Sequence, residues 1–291
     1  MRGVAPPCVA GLEIGGTEIV CAVGRGPDDL LAERTLPTTT PAETLAAAAT
    51  FFREHAGRVP IAALGIASFG PLDLEPSSPG FGSITATPKP GWSGADVRGT
   101  LARALGLPVA IDTDVNGAAL AEARWGAGRA ADPLVYVTVG TGIGGGAIVR
   151  GARVHGLTHP EMGHMRVPRD PADAFAGACP FHGDCLEGLA SGAAIRARRG
   201  LPGEALADDD PVWAFVARYL AFGISNVIAV LSPRRIVVGG GVMRRPALLA
   251  RVRADVDATL GGYVRAAELV APALGERAGV LGGLALAQEL L

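Results

Sequence analysis

At 291 residues, with 49% hydrophobic and 19% charged side chains, the chain is long enough for one large domain or two ordinary ones. That balance belongs to a folded soluble protein and excludes disordered, collagen-like and membrane classes. The formal net charge of −2 provides no basic surface for nucleic acid or an anionic membrane. Lys89 is the only lysine, and the "TPKPG" around it is neither a Walker A loop nor a protein-kinase lysine motif, so those two ATPase classes are excluded.

In chain order, the start "MRGVAPPCVAG" lacks a long apolar stretch and carries two prolines, so no secretory leader is expected and a cytoplasmic address follows. "VAGLEIGGTEIVCAVG" then reads as strand, Gly-Gly turn and strand, a β-hairpin. A helix is punctuated by Thr40 as cap, Pro41 at its first position, Glu43 completing a capping box and Gly57 as its stop. "IAALGIAS" and "LPVAIDT" are short apolar runs separated by the helical "DVRGTLARALG", the pattern of buried parallel strands with crossovers. Between them "DLEPSSPGFGSITATPKPGWSG" is too polar and glycine-rich for core and reads as a functional or disordered loop.

From about residue 134 the pattern restarts: "VGTGIGGGAIV" echoes "EIGGTEIVCAV". The repeat predicts two similar α/β lobes with an active cleft between them. The first is expected over 1–117, completed by a C-terminal helix at about 275–291, and the second over 118–274. Helical patterns follow in "EGLASGAAIRARRG", in the long "DPVWAFVARYLAFGISNVIAVL", near 246–260 and near 277–291, with a strand at "RRIVVGGG". Apolar runs such as "NVIAVL" fall short of the roughly 20 residues that a bilayer span needs.

Two turns, Gly15-Gly16-Thr17 and Gly140-Thr141-Gly142, leave backbone amides uncovered, so phosphate oxygens can approach and collect several N–H bonds. Either alone would equally be a plain hairpin corner; their pairing in equivalent places favours phosphate. Gly239-Gly240-Gly241, after a strand and before a helix, reads as a surface against a flat nucleotide or as a simple strand-to-helix turn. "AIDTDVNGAALAEARWG" places Asp112, Asp114 and Asn116 where a strand gives way to a helix. Carboxylates there either cap the helix or face the ligand side of the sheet, where one could take a proton from an attacking hydroxyl.

Cys179, His182 and Cys185 lie at spacings of three, and His164 stands fifteen residues before Cys179. Together they form a tetrahedral zinc set, with His159 also close in sequence. A Cys179–Cys185 disulfide is the competing account, disfavoured in a reducing cytoplasm, and buried unpaired thiols, the reading for Cys8 and Cys21, are the plainest one. Glu161 and Glu187 flank the set and could hold sugar hydroxyls; for Glu187 the plain reading is an ordinary residue in the first turn of a helix.

With "EIGGTE", "DTDVNGAALAE", "VGTGIGGG", "HPEMGH", "CPFHGDCLEGLASG" and "IVVGGGVM" in this order, the chain resembles the ROK (repressor, open reading frame, kinase) sugar kinases from about residue 10 onward. The loop "FGPLDLEPSSPGFGSITATPKPGW" narrows the likeness to the fructokinase branch. The resemblance implies an α/β, two-lobed, actin-like ATPase fold, use of ATP and Mg²⁺, a structural zinc ion, frequent homodimerisation, and phosphoryl transfer to a hexose hydroxyl, fructose O6 first among them.

By the same resemblance, Asp114 is the catalytic base, and Gly70, Asn116, Glu161, His164 and Glu187 border the hexose. Gly15, Gly16, Thr17, Gly140, Thr141 and Gly142 form the phosphate loops, Gly239 and Gly240 the adenosine-side turn, and Glu13 helps to place Mg²⁺. His164, Cys179, His182 and Cys185 hold the zinc. One departure stands out, since relatives usually carry lysine after the first turn and this chain has Glu18. Glucokinase, mannokinase and N-acetylmannosamine kinase activities are the alternatives within the family. A repressor would carry an added helix-turn-helix domain, for which about ten residues before "LEIGG" are too few, and a non-catalytic sugar sensor is a third reading.

Overall fold

The computed structural model describes residues 6–291; the first five, part of the segment expected to carry no leader, lie outside the described residues. The chain divides into a first unit, made of residues up to Gly126 with Arg153–His159 and Leu274–Leu291, and a second of Ala127–Ala152 and Pro160–Ala273.

In the first unit, β1 (Cys8–Ile14), β2 (Glu18–Gly26) and β3 (Asp29–Pro37) run antiparallel, while β4 (Ile61–Ser68) and β5 (Val109–Thr113) extend the sheet in parallel, in the order β3-β2-β1-β4-β5. Strand β3 escapes the sequence pattern because it is largely exposed and offers little apolar alternation. Helix α1 (Pro41–Ala56) has the expected start, with Glu43 N donating to Thr40 Oγ1 and Thr40 N to Glu43 Oε2. Helices α2 (Val97–Leu105) and α3 (Asp114–Trp125) precede and follow β5.

The expected division at 117 would cut α3, whose residues 115–122 are all buried, so the boundary instead falls after its last residue. Residues 153–159 also return to the first unit, because Arg153 and His155 both bond Asp112 on β5. The C-terminal helix lies against β1, β4 and α3 at backbone contact distance: a Cβ on Gly65 would stand 2.0 Å from Gly283 O, and one on Gly282 2.3 Å from Gly117 C. These glycines bring the start of that helix against the end of β1, where Glu13 lies.

The polar loop between β4 and α2 is threaded into the core, against expectation. Trp92 and Ile84 are fully buried, and the Trp92 indole donates to Thr39 O at 2.9 Å. Two large apolar side chains anchor a segment whose overall composition reads as exposed.

The second unit repeats the topology. Strands β6 (Leu134–Val139), β7 (Ile143–Val149), β8 (Ala152–Arg153), β9 (Arg235–Gly239) and β10 (Glu268–Val270) lie in the order β10-β9-β6-β7-β8, with β6 and β7 antiparallel and β9 and β10 parallel to β6. The helical run after the cysteine loop splits into α4 (Leu186–Ala190) and α5 (Gly192–Arg199), because Ser191 ends one and caps the other through Ala194 N. Helix α6 (Val212–Leu231) is, contrary to the sequence reading, apolar and long enough to cross a bilayer by length and composition, yet it is mostly buried against α4 and α7 (Pro246–Leu260). The final helix is α8 (Ala278–Gln288).

Candidate functional site

The first unit gathers its carboxylates at the strand ends. Thr113, rather than either aspartate, caps α3, accepting Asn116 N through Oγ1 at 3.2 Å. Asp112 and Asp114 are thereby freed for other work, and their surroundings push them in opposite directions. Asp112 is fully buried; burial opposes its charge, but bonds from His155 Nε2 (3.0 Å), Asn116 Nδ2 (2.8 Å) and Arg153 Nε (2.7 Å) outweigh it and hold the carboxyl below its usual range. At Asp114, in the first turn of α3, burial pushes the carboxyl up to about 6, against the pull of the Val115 N–H.

Glu13 is pushed up to about 7, by burial first and then by the Asp114 charge, while Val280 N–H at the start of α8 pulls the other way. Its carboxyl fits there because residue 279 is glycine: a Cβ would stand 2.2 Å from Glu13 Cδ. Asn116 donates its amide nitrogen to Asp112 Oδ1, with His155 Nε2, which donates to the same carboxylate, 3.2 Å away; its Oδ1 is buried without a hydrogen-bond partner. Such an acceptor is costly unless a ligand donor fills it.

Gly70 follows β4, in a segment held by His159, whose Nε2 accepts Leu72 N at 3.0 Å. This corrects the sequence grouping of His159 with the cysteine loop, since the chain takes His159 into the first unit. In the first glycine turn every carbonyl is taken: Gly15 O by Thr38 Oγ1 (2.8 Å), Gly16 O by Lys89 Nζ (2.5 Å) and Thr17 O by Thr38 N (2.9 Å). A Cβ on Gly16 would meet nothing within 4 Å, so packing does not require glycine there.

In the second unit the other turn is backed by a helix. Gly192 N and Ala193 N, the first amides of α5, donate to Gly140 O (2.7 Å) and Thr141 O (3.1 Å), and Gly140 N donates to Gly142 O (2.9 Å). A Cβ on Gly192 would stand 2.8 Å from Gly140 O, a requirement that the sequence pattern alone did not flag. Gly140, Thr141, Gly192, Arg196, Trp213 and Gly241 line a cleft of about 1000 Å³, within the upper size range of small-molecule sites. Of the third glycine cluster only Gly241 lines that cleft. Gly239 is kept small by the Tyr136 hydroxyl, and Gly240 has φ +94° against the Val139 backbone.

His164, Cys179, His182 and Cys185 come together as their spacing suggests, with all four ligand atoms within 4.8 Å of one another. Cys179 and Gly183 exchange both backbone bonds, with Gly183 in the left-handed region (φ +65°), and this folds the loop back on itself. A tetrahedral zinc ion separates its nitrogen and sulfur ligands by about 3.3–3.8 Å, from bond lengths of about 2.0–2.3 Å. Four of the six separations fall in that range, at 3.3 Å for His164 Nδ1–His182 Nδ1, 3.7 Å from Cys179 Sγ to either histidine, and 3.5 Å for Cys185 Sγ–His164 Nδ1, and the remaining two lie within 4.8 Å. The donor set therefore fits such an ion. The cysteines are free thiols, so the disulfide alternative is absent.

Beside this cluster Glu161 is exposed and its carbonyl accepts His164 N. Glu187 turns one oxygen to Ile143 N at 2.9 Å, next to Gly142, which ties it to the second turn.

The ROK family model matches residues 9–290. The chain is 46% identical to a fructokinase from Zymomonas mobilis, covering 95% of each chain, and 41% identical to a fructokinase from Pediococcus pentosaceus, covering 96% of this chain and 97% of that one. Among solved structures it superposes on a ROK family glucokinase from Streptomyces griseus in complex with glucose and AMPPNP, with a TM-score of 0.80, 26% identity, and coverage of 97% and 99%.

Proposed function

The chain belongs to the ROK family and has its actin-like ATPase fold, and from that premise we propose an ATP-dependent fructokinase that transfers the γ-phosphoryl group of ATP to the 6-hydroxyl of fructose. The observation that carries the reaction is the opposed tuning of two carboxylates two residues apart. Asp112 is held ionised by Arg153 and His155, while Asp114 is raised to about 6, towards the pH at which a general base works best. Asp114 takes the proton of the attacking hydroxyl as that oxygen forms its bond to phosphorus and ADP leaves. The identities of 46% and 41% to proteins named fructokinase support fructose over the other hexoses.

In the first unit, the unpartnered Asn116 Oδ1 suits a sugar hydroxyl, with Gly70 on the segment after β4. In the second, Glu161, His164 and Glu187 are assigned to the sugar. Gly15, Gly16 and Thr17, and separately Gly140, Thr141 and Gly142, present amides to phosphate; Gly239 and Gly240 shape the turn that brings Gly241 to the nucleotide cleft. Glu13, whose pKa is raised by burial first and then by the Asp114 charge, would hold Mg²⁺, which when bound neutralises charge developing on the phosphates. His164, Cys179, His182 and Cys185 would hold zinc, which in a closed four-ligand site supplies folding energy rather than chemistry. Family likeness further supports a cytoplasmic homodimer, which light scattering would check.

The direct test is ADP release with fructose, glucose, mannose and N-acetylmannosamine. Fructose is expected to give the highest kcat/KM. A tenfold preference for another hexose would replace the substrate, and no ADP release with any of them would leave a sugar-sensing role.

A further inference from the structure

The first glycine turn lies in acidic surroundings: Glu13 and Asp114 stand at the strand ends, and Glu18 begins the strand that leaves the turn. A polyphosphate brought to this place meets like charge unless the protein supplies a cation. The chain has one lysine, and its ammonium is on that turn, with Lys89 Nζ donating to Gly16 O at 2.5 Å across 73 residues of sequence.

Its position is built in. Pro88 and Pro90 fix the backbone on either side, Lys89 N donates to Thr87 Oγ1 (3.3 Å), and Lys89 O accepts Trp92 N (3.2 Å). Trp92 is fully buried, edge-on to Phe69, with its indole on Thr39 O. The turn is fixed from the other side by Thr38, which takes the carbonyls of Gly15 and Thr17. Gly16 O is the remaining carbonyl, and its negative end would repel an anion; the ammonium neutralises it with one of its three N–H groups and keeps two for phosphate oxygens.

We propose that Lys89 is the phosphate-binding cation of the first glycine turn, reaching the nucleotide polyphosphate from the loop between β4 and α2 and offsetting Glu18. This rests on the kinase reading above and adds a substrate-contacting residue to it.

A single lysine allows a direct test on the wild-type protein. Incorporation of ¹³C,¹⁵N-lysine, which keeps the charge and all three N–H groups, gives one side-chain Cε–Nζ NMR signal. That signal is expected to move on titration with Mg²⁺ and AMPPNP, with the dissociation constant that calorimetry gives for the same nucleotide. Lys89→Met is expected to raise the KM for ATP about tenfold while the fructose KM stays within about twofold, the loss expected for a charged hydrogen bond to substrate. Glu18→Lys in that background is expected to recover most of the ATP affinity, because it returns a cation to the same turn; a merely structural lysine would not be replaced from position 18. A signal that stays still while calorimetry records binding overturns this proposal alone, as does a Lys89→Met variant that changes only kcat or the fructose KM. Absence of nucleotide binding to the wild type overturns both this proposal and the kinase reading.

Discussion

The two glycine-threonine turns arise from the same sequence pattern and are supported by different means. At Gly140–Gly142 the carbonyls are taken by backbone: the first amides of α5 reach Gly140 and Thr141, and the turn closes on itself at Gly142. At Gly15–Thr17 two of the three are taken by side chains, Thr38 Oγ1 and Lys89 Nζ. The second turn thus receives positive potential from a helix terminus, which no single substitution removes, and the first from one ammonium, which a single substitution does. A Gly-Thr corner after a strand marks where an anion can approach. It does not say what supplies the charge.

The largest effect is expected where the two units differ most, at the carboxylates of the first. Asp114→Asn should lower kcat at least about a hundredfold with fructose affinity largely kept, measured by steady-state kinetics and calorimetry. Near-normal turnover would remove Asp114 from the base role. The wild-type pH profile carries the same claim: a base must be deprotonated, so kcat/KM should fall as pH drops through about 6, roughly tenfold per unit. Asp112, held low, should not contribute a limb in that range. The raised values of Asp114 and Glu13 also have a stability sign: the folded state binds these protons more tightly than the unfolded chain, so stability is lost as pH rises through about 6 to 7. A profile flat from pH 5 to 8 would contradict both.

In the second unit the corresponding test is metal removal. Cys185→Ser should release the bound ion, read by elemental analysis, and cost about 2–4 kcal/mol in denaturant unfolding, with the fructose KM rising more than the ATP KM. Wild-type protein free of bound metal and equally stable would show that the four donors pack without an ion.

Local chemistry was legible in the sequence; long-range partners were not. The capping box at Thr40 and Glu43, the hairpin around Gly15-Gly16 and three of the four clustered histidine and cysteine side chains are written within a few residues of one another, so spacing alone carried their juxtaposition. Asp112 reads like a helix cap or a base until Arg153 and His155 arrive from about forty residues away and fix it as an ionised structural group. His159 failed in the opposite way: five residues from His164 in sequence, it bonds Leu72, 87 residues away. Lys89 was visible as the single lysine, but its meaning depended on Trp92 drawing a polar loop into the core, which a window average over prolines, serines and glycines hides.

The finest probe compares the turns directly with one methyl group. A Cβ on Gly16 or on Gly140 meets nothing within 4 Å, and neither glycine has positive φ, so Gly16→Ala and Gly140→Ala are each expected to leave thermal stability unchanged within about 0.5 kcal/mol. Gly15→Ala is the contrasting control, since its Cβ would stand 2.8 Å from Glu18 O and must distort the turn. If the open volume is kept for polyphosphate, each of the two silent alanines raises the KM for ATP by about threefold to tenfold without touching stability, because a methyl group fills space that oxygen would occupy. A rise at Gly16 alone would place the anion on the lysine-supported turn and leave the helix-supported turn a structural corner; a rise at Gly140 alone would reverse that assignment and remove the reason for Lys89 to reach the first turn.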